Sequence, residues 1–289
     1  MPHPADTASP TGVPSLPHVR LVIADMDGTL LDGAGEVPAT FWPVLQQLRD
    51  RGVLFSPASG RQCATLQQLF RAASEGMVFI AENGTYVVRD GREVSSRTLR
   101  TALVEAVVGG VRDLVADGAD IGIVVCGKRS AYIERADDAF LAEVRRYYVA
   151  LDVLGDVTDH DDEILKLAVF DFAGAENTAP AVRGLVVDEQ VVVSGEHWID
   201  VMSAGADKGA AVRDLQRELG ITPAQTMAFG DYLNDLELLA ACEHSFAMAN
   251  AHPEILDAAR HVAPANTEDG VVRVLRAALG LPPAVPPAG

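Results

Sequence analysis

Two aspartates one residue apart, Asp25 and Asp27, close the apolar run Val19-Arg20-Leu21-Val22-Ile23-Ala24 and are followed by Gly28 and Thr29. One carboxylate of such a pair can attack phosphorus as a nucleophile. The other can give a proton to a leaving oxygen and later take one from water. Bringing both together with a phosphate calls for a hard divalent cation, and Mg2+ suits an all-oxygen site. A further cation ligand is available in Gly230-Asp231-Tyr232-Leu233-Asn234-Asp235. Asp231 follows a strand, and Asn234 and Asp235 come three and four residues later on one side of the next helix. Lys208 stands in the first turn of a helix, where a cation opposes the helix dipole unless an anion is near, with Asp207 as N-cap. Ser59-Gly60-Arg61 lies at a strand-to-helix turn, where a hydroxyl and backbone N–H groups suit a phosphate. Each has a plainer reading in isolation: an acidic turn, a capped helix with a charged face, a solvated lysine, a serine N-cap.

The elements needed to hold these residues can be read from periodicity. Strands are expected at 19–24, 53–55 and 77–81, with helices over 39–51 and from about Gln62 between them, which predicts a parallel sheet carrying packed helices. The rhythm changes after Glu82-Asn83-Gly84. Asp90-Gly91 marks a hairpin, and a helix over 99–115 is followed by paired strands at 121–126 and 131–133. A helix over 139–148, a strand over 164–170, a short helix at 178–185 and a second hairpin complete a separate α+β unit. Alternation resumes with a helix from Lys208 to Leu219, a strand at 226–229, a helix at 232–241, a strand at 246–249 and a closing helix at 271–279. The fold class is therefore α/β, a Rossmann-like parallel sheet interrupted by an inserted α+β domain.

Composition narrows the function classes. The 289 residues hold 23 basic and 41 acidic side chains, a formal charge of −18. That balance argues against a nucleic-acid or anionic-membrane partner and requires any phosphate site to be made positive locally. No apolar run approaches a membrane span. Cys63, Cys126 and Cys242 are few and far apart, which predicts free thiols and a cytoplasmic setting. Residues 1–18 read as a disordered lead-in and 281–289 as a mobile tail. His160, His197, His244, His252 and His261 lack ligand spacing. The acidic run 159–163 reads as a solvated loop, and Tyr132 and Trp198 as packing residues.

In order and placement, four segments resemble the motifs of the haloacid dehalogenase (HAD) superfamily: Asp25-Met26-Asp27-Gly28-Thr29, Ser59-Gly60-Arg61, Lys208-Gly209, and Gly230-Asp231 with Asn234-Asp235. The long insertion between the second and third resembles the C2-type cap, B form, of the Cof-type subfamily, and Glu82-Asn83-Gly84 and Ala249-Asn250-Ala251 are similar to segments of that group. The resemblance implies a HAD core over 19–85 and 202–280 and a cap over 86–201. It implies catalytic Asp25 and Asp27. It also implies Mg2+ held by Asp25, the Asp27 carbonyl and Asp231, with Asp235 either ligating or supporting them, and phosphate held by Ser59, Gly60, Lys208 and Asn234. Thr is frequent in the family where Ser59 stands, and both supply a hydroxyl. Members that cleave carbon–halogen bonds do not need an acid at the Asp27 position, so the expected activity is that of a phosphatase acting on a small phosphorylated metabolite, foremost a sugar phosphate. A sugar phosphomutase or phosphotransferase and a non-catalytic phosphometabolite sensor remain the alternatives, and oligomeric state is open.

Overall fold

The computed structural model describes residues 13–282. The expected disorder of 1–12 and mobility of 283–289 fall outside the described residues. Residues 13–18, expected to be part of that lead-in, are instead anchored. Leu16 is buried and its N–H donates to the Ala278 carbonyl at 2.7 Å.

In chain order the strands and helices begin with β1 (Leu21–Ala24), α1 (Phe41–Asp50), β2 (Leu54–Pro57), α2 (Cys63–Leu69), β3 (Val78–Ala81), β4 (Tyr86–Arg89) and β5 (Arg92–Ser96). There follow α3 (Thr101–Ala116), β6 (Ile121–Gly127), β7 (Ala131–Ile133), α4 (Asp138–Val144), β8 (Leu151–Val153), β9 (Ile164–Asp171), α5 (Ala175–Gly184), β10 (Gln190–Val193) and β11 (Trp198–Met202). The chain closes with α6 (Lys208–Leu219), β12 (Thr226–Gly230), α7 (Leu236–Ala240), β13 (His244–Met248), α8 (Pro253–Ala258), β14 (His261–Ala263) and α9 (Gly270–Leu279). They form two compact units, one from the chain up to Ala58 and from Val212 onward, the other from Ser59–Ala211.

The first unit is built on a five-stranded parallel sheet in the order β14-β13-β12-β1-β2. All four β1 residues are buried, as expected of a parallel strand covered on both faces. Phe41, Val44, Leu45 and Leu48 form the buried side of α1, the spacing that a helix of 3.6 residues per turn requires. The register sets Ala24 beside Phe229, so β1 and β12 end together, at the carboxyl edge where α/β sheets place their ligand crevice.

The second unit holds a six-stranded sheet, β10-β11-β9-β6-β7-β8, antiparallel except where β7 meets β8. Alternate residues of β6 and β9 point to opposite faces. Ile123, Val125, Leu167 and Val169 pack with Val107 and Val111 of α3 and Val182 of α5. Val124, Cys126, Ala168 and Phe170 pack with Phe140 and Val144 of α4 and with Tyr148.

The strand expected at 77–81 as the third of the parallel series differs from that reading. As β3 it pairs antiparallel with β4, in a separate three-stranded sheet β3-β4-β5. The cause is local. Glu82 and Asn83 adopt left-handed φ of 50° and 56°, and this turn sends the chain straight back along β3. The stretch 59–85 then lies in the second unit. Hydrogen bonds tie the start of α2 to the segment after α4: the Thr65 hydroxyl donates to the Tyr147 carbonyl at 2.7 Å, and the Gln62 amide donates to the Ala150 carbonyl at 2.9 Å. Among the described residues no helix is long and apolar enough to cross a membrane.

Candidate active site

Asp25 follows the last residue of β1 and is buried, while Asp27 sits exposed in the turn Met26–Leu30. That turn depends on Gly28. Its φ is +77°, and a Cβ there would collide with the Asp231 carboxylate, so both conformation and space demand glycine. The close approach is used at once, because the Thr29 hydroxyl donates to Asp231 Oδ1 at 2.7 Å. Asp235 is fully buried, and its Oδ2 accepts the N–H groups of Asp231 at 3.0 Å and Tyr232 at 3.3 Å. Asp25, Asp231 and Asp235 thereby present carboxylate oxygens that all lie within 4.8 Å of one another. Asn234, partly exposed, lies in the short turn Leu233–Asp235 that opens α7. A further brace comes from Asn250, whose amide donates to the Gly28 carbonyl at 2.8 Å and accepts the Asn266 N–H at 3.1 Å.

Three carboxylates in so small a volume repel strongly unless a cation or a proton is shared among them. An all-oxygen set fits a hard divalent ion such as Mg2+ and not a soft thiophilic one. The side chain of Asp27 is not one of the three.

The second unit holds the remaining expected residues. Ser59 is buried, its N–H donates to the Ile80 carbonyl, and its own carbonyl accepts the Asn83 N–H, both at 2.9 Å. Its Oγ accepts the Arg61 N–H at 3.2 Å. Lys208 is fully buried at the start of α6. Asp207 caps that helix, accepting the Ala210 N–H at 2.6 Å. Between Ser59 and Lys208 runs the turn Glu82-Asn83-Gly84. A Cβ on Gly60 would touch the Asn83 amide at 3.1 Å, and one on Gly84 (φ +91°) would collide with the Asp207 carbonyl. The turn is thus packed against the serine loop on one side and the helix start on the other.

Thr29, Asn250 and Asn266 support the first unit's site without having been assigned a role from the sequence. The buried Lys166 is flanked by Glu82 and Asp200 at 3.1 and 3.3 Å. Its one sequence signal is a lysine inside the apolar run of β9. Burial disfavours its charge, but Asp200 and then Glu82 outweigh that and hold the ammonium above its ordinary pKa. Burial in turn pushes the Glu82 carboxyl up.

The family model for haloacid dehalogenase-like hydrolases matches residues 22–275. The chain is 31% identical to the Escherichia coli 5-amino-6-(5-phospho-D-ribitylamino)uracil phosphatase YbjI, over 89% of this chain and 95% of that one. It is 28% identical to the HMP-PP phosphatase of Cronobacter sakazakii, over 84% and 89% of the two chains. Among solved structures, a Streptococcus mutans protein superposes with a TM-score of 0.82 at 24% identity, covering 91% of this chain and 99% of that one.

Proposed function

The chain belongs to the haloacid dehalogenase-like hydrolase family, in its Cof-type branch, and is a phosphoric monoester hydrolase; we propose that it hydrolyses a small sugar phosphate or sugar-alcohol phosphate with Mg2+, through a phosphoryl group carried on Asp25. The observation that carries this reading is the convergence of Asp25, Asp231 and Asp235. The substrate class is supported by the relative whose name places the phosphate on a ribityl chain.

In this reading Asp25 attacks the phosphorus, and the P–O bond to the leaving group breaks as Asp27 delivers its proton to that oxygen. Asp27 then takes a proton from water, which attacks the phosphorus and returns Asp25 as free carboxylate and phosphate as product. Ser59, the Gly60 backbone, Lys208 and Asn234 hold the phosphoryl oxygens. A buried lysine at a helix N-terminus suits that task, because an ammonium so placed is stabilised by an anion. Asp25, the Asp27 carbonyl, Asp231 and Asp235 would hold Mg2+, which when bound neutralises charge on the phosphoryl group. The reading includes a cytoplasmic setting, supported by three free and buried thiols.

The test is phosphate release from a panel of sugar phosphates, nucleotides, pyridoxal phosphate and phosphoglycerates, with Mg2+ or with EDTA, for the wild type and Asp25→Asn. Mg2+-dependent release that vanishes in the variant is the expected result. Release that survives in Asp25→Asn would remove the covalent step from the mechanism.

A further inference from the structure

We propose that Lys166 is a positioning residue for the phosphate loop: it fixes the Gly60–Arg61 peptide and through it the Ser59 hydroxyl. The inference rests on the reading of Ser59 as a phosphate ligand, and every contact it uses lies within the second unit. Lys166 Nζ donates to the Gly60 carbonyl at 2.9 Å. The N–H on the other side of that same planar peptide belongs to Arg61, and it donates to Ser59 Oγ at 3.2 Å. A peptide held at its oxygen cannot rotate, so its N–H keeps one direction. With a lone pair engaged by that N–H, the Ser59 hydroxyl presents its own proton as a donor.

The clamp is itself held. Lys166 Nζ lies 3.1 Å from Glu82 Oε2 and 3.3 Å from Asp200 Oδ2. Asp200 Oδ2 also accepts the Asn83 amide at 2.6 Å. The backbone N–H of Glu82 donates to the Arg61 carbonyl at 3.1 Å, and that of Asn83 to the Ser59 carbonyl at 2.9 Å. Lys166, Glu82 and Asp200 are each at most 2% exposed. Lys166 shares its face of β9 with Ala168 and Phe170, and stability alone is served there at least as well by an apolar side chain, since a buried ion pair seldom outperforms its hydrophobic replacement. What an apolar residue cannot do is hold the Gly60 oxygen.

Lys166→Met alone strands two buried carboxylates, so the deciding variant is neutral throughout: Glu82→Gln, Lys166→Met and Asp200→Asn together. Each protein is tested for binding of inorganic phosphate by titration calorimetry in Mg2+, and for kcat and KM with p-nitrophenyl phosphate. The neutral triple variant is expected to bind phosphate about tenfold more weakly, the loss of roughly one well-placed hydrogen bond. In a Ser59→Ala background the same three changes should cost less than about twofold more, because residues acting through one group do not add. Phosphate affinity within about twofold of wild type, or losses that multiply with Ser59→Ala, would overturn the proposal. So would a triple variant that fails to fold, which would assign the cluster to folding alone. A wild type that binds phosphate yet hydrolyses no ester would sink the hydrolase mechanism and leave the positioning role to be decided by the binding arm.

Discussion

Gly28 meets two demands at once, a positive φ and the space taken by the Asp231 carboxylate. Gly28→Ala is expected to lower stability by about 1–3 kcal/mol through backbone strain and to push Asp231 away from Asp25. Phosphate release should fall with it, and higher Mg2+ should restore part of the rate. An alanine variant with unchanged kcat and unchanged Mg2+ dependence would show that the contact is idle. Asp27 is exposed and outside the acidic trio. Asp27→Asn should therefore leave Mg2+ affinity nearly intact while lowering kcat by about 10²–10⁴-fold, the usual worth of a general acid–base. The rate is read from single turnovers, and affinity from a metal titration. At this scale the meeting of Asp25, Asp231 and Asp235 is legible in the sequence. Asp25, Asp27, Asp231 and Asp235 are neighbours in sequence of two strand ends, and the strands are plain in the apolar pattern. Lys166 and Asp200 were not legible, because their meaning lies in contacts with Gly60 and Asn83, far away in the chain, and no local period encodes those.

The turn Glu82-Asn83-Gly84 shows what periodicity misses among elements. The apolar run of β3 gave its existence correctly but not its direction of pairing, which the left-handed turn after it decides. The hairpin at Asp90-Gly91 was readable, since both residues adopt the positive φ that such a tight turn requires. The strands β8 and β14 are three residues long with a polar one in each, Asp152 and His261, and offer no apolar run of the kind that marks the equally short β7. The composition of the acidic run 159–163 suggests a solvated loop. Asp162 instead turns its carboxylate inward, where Oδ2 accepts the Arg129 N–H at 2.9 Å and the Tyr132 hydroxyl at 3.0 Å. Seven-residue α4 is below the length at which a helix persists alone, so it depends on Phe140, fully buried against Phe170. Phe140→Ala should cost about 3–5 kcal/mol of stability, measured by urea unfolding. A loss under about 1 kcal/mol would mean that α4 is held by other contacts.

For the molecule as a whole, pH and thiol chemistry report on burial. Burial lowers the His244 pKa, helped by His18 and His261 and resisted by the Ala224 carbonyl and Glu243. The folded state thus declines a proton that the unfolded chain takes up near pH 6.5. That part of the stability is complete above about pH 6.5 and is lost as pH falls from there through the folded value. In His244→Gln the melting temperature should vary less with pH over this window, and a slope of wild-type size would assign the titration to another group. Burial also pushes the Cys63 and Cys242 thiols up to about 12, and Cys126 is raised as well. At pH 8 the native protein should resist a thiol reagent, then react at all three cysteines once unfolded.

The parallel sheet of the first unit has a consequence for how the chain reaches its native state. β1 is made early, but β12, one of its two partners, comes only after the whole of Ser59–Ala211. On the ribosome, β1 can pair with β2 on one side, but its other edge must wait open while the inserted unit, whose contacts are nearer in sequence, can condense first. That open edge is a liability until β12 fills it, and Asp25, at the end of β1, reaches Asp231 only when most of the chain has been made.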